Sequence, residues 1–189
     1  MRNVISLMHM SLDGFVAGPN GEFDLDWIKL DDEVFSYVDT FIREVDTALY
    51  GPKTFKMMES HWPSVLKDPN ASGHQLTHAK WYEKANKIVF SRQLDKLDNP
   101  NAKLVRGNLA GEVDDLKKSI GKNIMIFGSP GLVQSCCKLG LVDEFVINVN
   151  PVVLGAGISM FGGIDQRINL RLVQSTEFKL GVVGLHYRK

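Results

Sequence analysis

The sequence predicts an α/β protein built on an open, mostly parallel sheet. Three observations carry this. Short apolar runs alternate with amphipathic helical stretches over the first 150 of 189 residues, the pattern of strand–helix–strand units. Ile124-Met125-Ile126-Phe127 is apolar throughout, as a buried strand requires. The last two strand-like runs, 170–179 and 182–188, have no helix between them and predict an antiparallel pair.

Residues 4–10 form the first apolar strand. The segment 11–21 is dense in Gly, Asn and Pro and reads as a loop with at least two turns. Residues 31–45 give the strongest helix: Val34, Val38, Phe41, Ile42 and Val45 recur at helical spacing, and three acidic residues open it at the positive dipole end. A short strand at 47–50 leads into Gly51-Pro52-Lys53-Thr54 and a short helix through Glu59. Residues 60–75, with two prolines, read as an exposed connection. A helix at 76–86, strands at 87–90 and 103–105, and an amphipathic helix at 112–120 follow. The strand at 124–127 runs into Gly128-Ser129-Pro130-Gly131. The next helix places Leu132, Val133, Cys136 and Cys137 on one face, with Gly140 past its end. A long strand, 144–153, is broken by Leu154-Gly155-Ala156-Gly157.

The 22 basic and 22 acidic side chains cancel, which removes the field that non-specific nucleic-acid binding needs. At roughly 100–200 residues per domain, residues 1–189 are expected to form one domain. No apolar run approaches the ~18 residues of a membrane span, so a soluble, cytoplasmic protein is expected. The two cysteines, Cys136 and Cys137, are adjacent and cannot frame a zinc site or a disulfide scaffold; they read as small core hydrophobes. His74 and His78 stand four apart, but no Glu follows His74 and no clear third ligand is in view, so no metal is expected.

In open α/β sheets ligands bind beyond the carboxyl ends of the strands. Three such ends share one character: Tyr50 leads into Gly51-Pro52-Lys53-Thr54, Phe90 into Ser91-Arg92, and Phe127 into Gly128-Ser129-Pro130-Gly131. Small residues there let backbone N–H groups approach an anion, and two of the ends start helices. Taken singly, each is an ordinary tight turn. A pyrophosphate over Gly128–Gly131, with a second phosphate near Lys53, Thr54, Ser91 and Arg92, describes NADP better than NAD, whose ribose usually meets an acid. Asp13 reads as a turn cap or, less readily, a proton donor. Asp24, Asp26 and Trp27 fall in a loop where substrate contact and plain solvation weigh equally. The Gly155-x-Gly157 pair is a strand-ending turn.

Six segments in order, Ser-Leu-Asp-Gly-Phe-Val-Ala-Gly-Pro-Asn-Gly (11–21), Leu-Tyr-Gly-Pro-Lys-Thr-Phe-Lys-Met-Met (49–58), Lys-Ile-Val-Phe-Ser-Arg (87–92), Phe-Gly-Ser-Pro-Gly-Leu-Val (127–133), Gly-Leu-Val-Asp-Glu (140–144) and Pro-Val-Val-Leu-Gly-Ala-Gly-Ile-Ser-Met-Phe (151–161), resemble the dihydrofolate-reductase-like superfamily. Within it, the chain is similar to the C-terminal reductase domain of bifunctional riboflavin-biosynthesis proteins and to their stand-alone bacterial relatives. The resemblance implies a mostly parallel sheet with antiparallel C-terminal strands, NADPH as cofactor, and a homodimer. It implies cofactor contacts from His9, Val16 and Ala17 at the nicotinamide, and from Gly51, Lys53, Thr54, Ser91 and Arg92 at the adenosine phosphates. Phe127, Gly128, Ser129, Pro130, Gly131 and Leu132 would lie at the pyrophosphate, with Ser129 in place of a second glycine. Asp26, Trp27 and Asn148 are the substrate-side candidates. Dihydrofolate reductases carry an acid early in the first long helix; the matching stretch is apolar near Phe35, which disfavours folate reduction. The deaminase half's zinc motif is missing from the sequence.

The expectation is therefore an NADPH-dependent reductase of a small polar carbonyl or imine, with 5-amino-6-(5-phosphoribosylamino)uracil the first compound to consider. The alternative is a dimeric NADP-binding protein without efficient catalysis. No catalytic residue is assigned from the sequence.

Overall fold

Apolar strands that alternate with one-sided helices bury both faces only when helices cover a sheet from each side, and the chain adopts that solution. The computed structural model describes residues 1–21 and 23–189. In chain order the elements are β1 (Val4–Ser11), β2 (Phe15–Ala17), α1 (Asp32–Ile42), β3 (Val45–Tyr50), α2 (Pro52–Val65), α3 (Gly73–Lys84), β4 (Asn86–Phe90) and β5 (Ala102–Val105). They continue with α4 (Leu109–Lys118), β6 (Asn123–Phe127), α5 (Pro130–Lys138), β7 (Glu144–Asn150), β8 (Ile158–Ser159), β9 (Arg171–Glu177) and β10 (Val183–Arg188).

Eight strands form one sheet in the order β5-β4-β3-β6-β1-β7-β10-β9, parallel from β5 to β7 and antiparallel from β7 through β10 to β9. This is the predicted dihydrofolate-reductase-like arrangement. Alternation along the strands splits the core. Ile5, Leu7, Met125 and Phe127 face α1, α2 and α3, whereas Val4, Met8, Ile124 and Ile126 face α4 and α5. Cys136 and Cys137 are buried thiols of that second layer, and burial pushes them up to about 12 and about 11. They pack as small hydrophobes, as expected.

Local chemistry explains where the sequence-based boundaries shift. Asp31 does not begin α1 but caps it, its carboxylate accepting the Val34 N–H at 2.9 Å. Val45 belongs to β3 rather than to α1. The exposed connection expected at 60–75 is shorter, because α2 runs on to Val65. Phe55, Met58, Trp62 and Val65 continue one apolar stripe, and Pro63 is tolerated inside the last turn. Ser72 and Gln75 make a capping box that starts α3 at Gly73, earlier than the apolar pattern indicates. Part of the first loop, Phe15–Ala17, instead pairs with Ile158–Ser159 as a small antiparallel ribbon. Among the described residues, no helix is long and apolar enough to cross a membrane.

Candidate functional site

Two helix N-termini converge beyond the carboxyl ends of β3 and β6. Gly51 alone separates β3 from α2, and Gly128 and Ser129 separate β6 from α5. Both helices begin with proline, where the missing N–H has no intrahelical partner to lose. Neither carries an acidic residue in its first turn, so no local carboxylate offsets the positive end of either dipole. Between them lies a cleft of about 340 Å³, lined by Gly51, Pro52, Lys53 and Thr54 on one side and Ser129, Pro130, Gly131 and Leu132 on the other. Phe90 and Leu109 form its apolar end.

The turn after β6 has two successive left-handed residues, Gly128 at φ +52° and Ser129 at φ +53°. A serine holds this conformation at a cost that glycine does not bear. Its side chain supplies the compensation: Ser129 Oγ accepts the Gly51 N–H at 2.9 Å and ties the two turns together. The Gly51 N–H is thus already engaged within the protein, which corrects its reading as a donor open to an anion.

A second hollow, about 310 Å³, adjoins this cleft on the α1–α3 face of the sheet; Gly128 lines it and the next residue, Ser129, lines the cleft. Leu7, Met8 and His9 of β1, Val16 of β2 and Phe127 of β6 form its floor. Phe35 and Val38 come from α1, and Met57, Met58, His61 and Trp62 from α2. Gln75 and His78 come from α3, and Leu25, Ile28 and Leu30 arrive from the loop before α1. Among the described lining residues there is no Lys, Arg, Asp or Glu.

Burial favours the neutral imidazole at two of the histidines here, His9 and His78. Burial lowers His9 to about 4 and His78 to about 3, the latter helped by His61. His9 Nδ1 and His78 Nε2 are buried without a hydrogen-bond partner. His78 stacks on Trp62 with ring centroids 3.8 Å apart and planes 9° apart. His74 does not join it: its Nδ1 lies 2.9 Å from Asp39 Oδ2.

The predicted cofactor residues fall into two groups along this double hollow. Gly51, Lys53, Thr54, Ser129, Pro130, Gly131 and Leu132 line the cleft, while His9, Val16, Phe127 and Gly128 line the apolar cavity. Ala17 is buried beside Val16 without lining either. Ser91 is buried in the turn after Phe90, and its Oγ accepts the N–H groups of Gln93 and Leu94 at 3.2 Å each; Arg92 beside it is exposed.

On the substrate side, Asp26 and Trp27 do not line the cavity; their loop contributes Leu25, Ile28 and Leu30 instead. The apolar spacing of those three in a polar loop is a signal that sequence reasoning passed over. Asn148 sits on β7 between β1 and β10, in register with His9, fully buried and with both side-chain polar atoms unpartnered. Asp13 accepts from Ser11 Oγ at 2.7 Å and from the N–H groups of Gly155 and Leu154. These bonds, Ser11's first, hold its carboxyl below the usual range, so it is a loop clamp rather than a proton donor. Phe35 occupies the cavity where an acid is absent, and Asp31 is spent on capping.

A parallel sheet with an antiparallel C-terminal edge, and a cleft at the strand ends that opens beside an apolar cavity, define a protein of the dihydrofolate-reductase-like class. The family described as the RibD C-terminal domain matches residues 2–183, and the chain belongs to that family. It is 38% identical to the uncharacterized protein YyaP of Bacillus subtilis (strain 168) over 188 residues, 98% of this chain and 94% of that one. Among solved structures, a Shewanella sp. PV-4 protein ascribed to riboflavin biosynthesis has TM-score 0.75 at 22% identity, covering 98% of each chain. A Thermotoga maritima diaminohydroxyphosphoribosylaminopyrimidine deaminase/5-amino-6-(5-phosphoribosylamino)uracil reductase has TM-score 0.67 at 16% identity. The match covers 99% of this chain and 56% of that two-activity protein.

Proposed function

We propose that the protein is an NADPH-dependent reductase acting on a small carbonyl or imine compound. The observation that carries this reading is the convergence of α2 and α5 on one cleft with no acidic residue in either first turn. The positive ends of two helix dipoles meeting at one cleft favour a phosphate there. The cleft fits such a group: a Cβ built on Gly131 meets nothing within 4 Å, so the start of α5 opens onto space.

The turn from Gly128 to Leu132 would hold the pyrophosphate, and Lys53, Thr54, Ser91 and Arg92 the adenosine end with its 2′-phosphate. His9 and Val16 would meet the nicotinamide at the adjoining cavity, with Ala17 buried beside Val16. When bound, NADPH supplies a hydride to the carbonyl or imine carbon, whose π pair passes to oxygen or nitrogen and takes up a proton, leaving NADP⁺. The protein's part is orientation and exclusion of water, for which the apolar walls around Val16, Phe35 and Met57 are suited. Membership of the RibD C-terminal family, and the reductase named in its Thermotoga neighbour, support a reductase.

One observation favours the alternative of an NADP-binding protein without efficient chemistry: the described lining of the cavity offers no carboxylic acid. Turnover separates the two. NADPH oxidation followed across pterins, ribosylaminouracils and simple carbonyls is expected to show consumption with one class. NADPH that binds and is never consumed across that panel would favour the binder.

A further inference from the structure

Resting on the reductase reading, we infer that the cavity takes an uncharged aromatic carbonyl compound as its substrate, rather than a sugar phosphate. A phosphate dianion placed in this cavity would lose its hydration and gain no cation, because the described residues lining it include no Lys or Arg. Two of its three described histidines, His9 and His78, are kept neutral at pH 7 by burial. A neutral ligand loses little on entry.

The walls favour a flat ring. His78 and Trp62 stack face to face, and His61 meets Trp62 edge-on, with centroids 4.6 Å apart and planes at 72°. The Trp62 indole N–H is taken up by Met58 Sδ at 3.1 Å, so its ring presents hydrocarbon rather than a donor. Met57 beside it offers an adaptable, polarizable surface for aromatic contact. The carbonyl is the group that the reductase reading itself requires.

The test is calorimetric titration of the full chain with 2-naphthaldehyde and, separately, with 5-amino-6-(5-phosphoribosylamino)uracil, each with quenching of tryptophan fluorescence recorded. Naphthaldehyde is expected to bind the more tightly and to quench. Ile28→Lys, on the half-buried loop rather than in the core, should weaken naphthaldehyde by roughly tenfold or more through the charge it places in the wall, with the melting temperature unchanged. Tighter binding of the phosphorylated uracil, or naphthaldehyde binding indifferent to Ile28→Lys, would overturn the inference. NADPH titrated into the same protein reports the reductase reading separately. Loop-sensitive naphthaldehyde binding without NADPH binding would support the ligand class and sink the reductase assignment. NADPH binding with the phosphorylated uracil preferred would do the reverse.

Discussion

Ser129 Oγ accepts the backbone N–H of Gly51 at 2.9 Å, joining the turns after β6 and β3 across 78 positions of sequence. The serine that departs from a double-glycine turn thus fixes the relative position of the two helix starts that frame the cleft. Ser129→Gly loses this bond as Ser129→Ala does but relieves about 1–2 kcal/mol of left-handed strain, and is expected to be the more stable of the two variants. Ser129→Ala keeps the strain and strands the Gly51 N–H, and should cost about 1–3 kcal/mol in chemical denaturation. A Ser129→Ala variant as stable as the parent would mean that the bond contributes nothing, and equal stability of the two variants that the strain does not.

Gly128 answers two demands at once. Its φ of +52° penalises any side chain, and a Cβ would stand 3.4 Å from Thr54 Cγ2. Gly128→Ala is therefore expected to lower stability by about 1–2 kcal/mol even without ligand. On the proposed function it should also weaken NADPH by more than that loss explains. A binding constant unchanged in the folded variant would move the cofactor elsewhere.

Asn148, in register with His9, is a buried polar side chain with no partner inside the protein. Asn148→Leu removes that unsatisfied amide at similar volume and should raise the stability of the ligand-free protein by about 1 kcal/mol. A destabilised variant in urea melts would show that Asn148 is satisfied in solution, contrary to this account.

Stability should fall on mild acidification. His78 titrates near 6.5 when unfolded but is lowered to about 3 by burial in the fold, so the unfolded chain takes up the proton first. The contribution is intact well above pH 6.5 and is lost as pH drops from there toward 3. By pH 5.5 His78 alone accounts for about 1.4 kcal/mol. His9, lowered to about 4, acts in the same direction. His78→Phe keeps a ring against Trp62 and removes the titrating nitrogen. Its melting temperature should depend less on pH between 7 and 5 than that of the parent, and identical slopes would argue against a buried neutral His78.

The sheet and its strand-end turns were legible because period and punctuation are local properties. Ile124–Phe127 followed by Gly128 states a buried strand and a stop within a few residues. The cavity was much less so. Its walls come from Leu25, Phe35, Met57 and His78, on four separate segments, and each reads in sequence as ordinary core or loop. Asp26 and Trp27 drew notice in a loop whose apolar Leu25, Ile28 and Leu30 line the cavity. The extension of α2 to Val65 was hidden because His61 and Pro63 break the local propensity while Trp62 and Val65 keep the stripe. Asn148 could be placed on a strand from sequence, but its burial and register with His9 depend on strand order, which is non-local.

On the proposed function, Lys53 of the cleft and Arg92 in the turn after Phe90 hold the 2′-phosphate of NADPH. Calorimetric titration with NADPH and NADH, on the parent and on Lys53→Ala/Arg92→Ala, tests it most directly. A charge-assisted contact of about 1.5–3 kcal/mol predicts roughly tenfold to hundredfold tighter binding of NADPH to the parent. The double variant should lose most of that preference, with NADH affinity nearly unchanged. Absence of NADPH binding by the parent, or equal loss of both nucleotides in the variant, would contradict it.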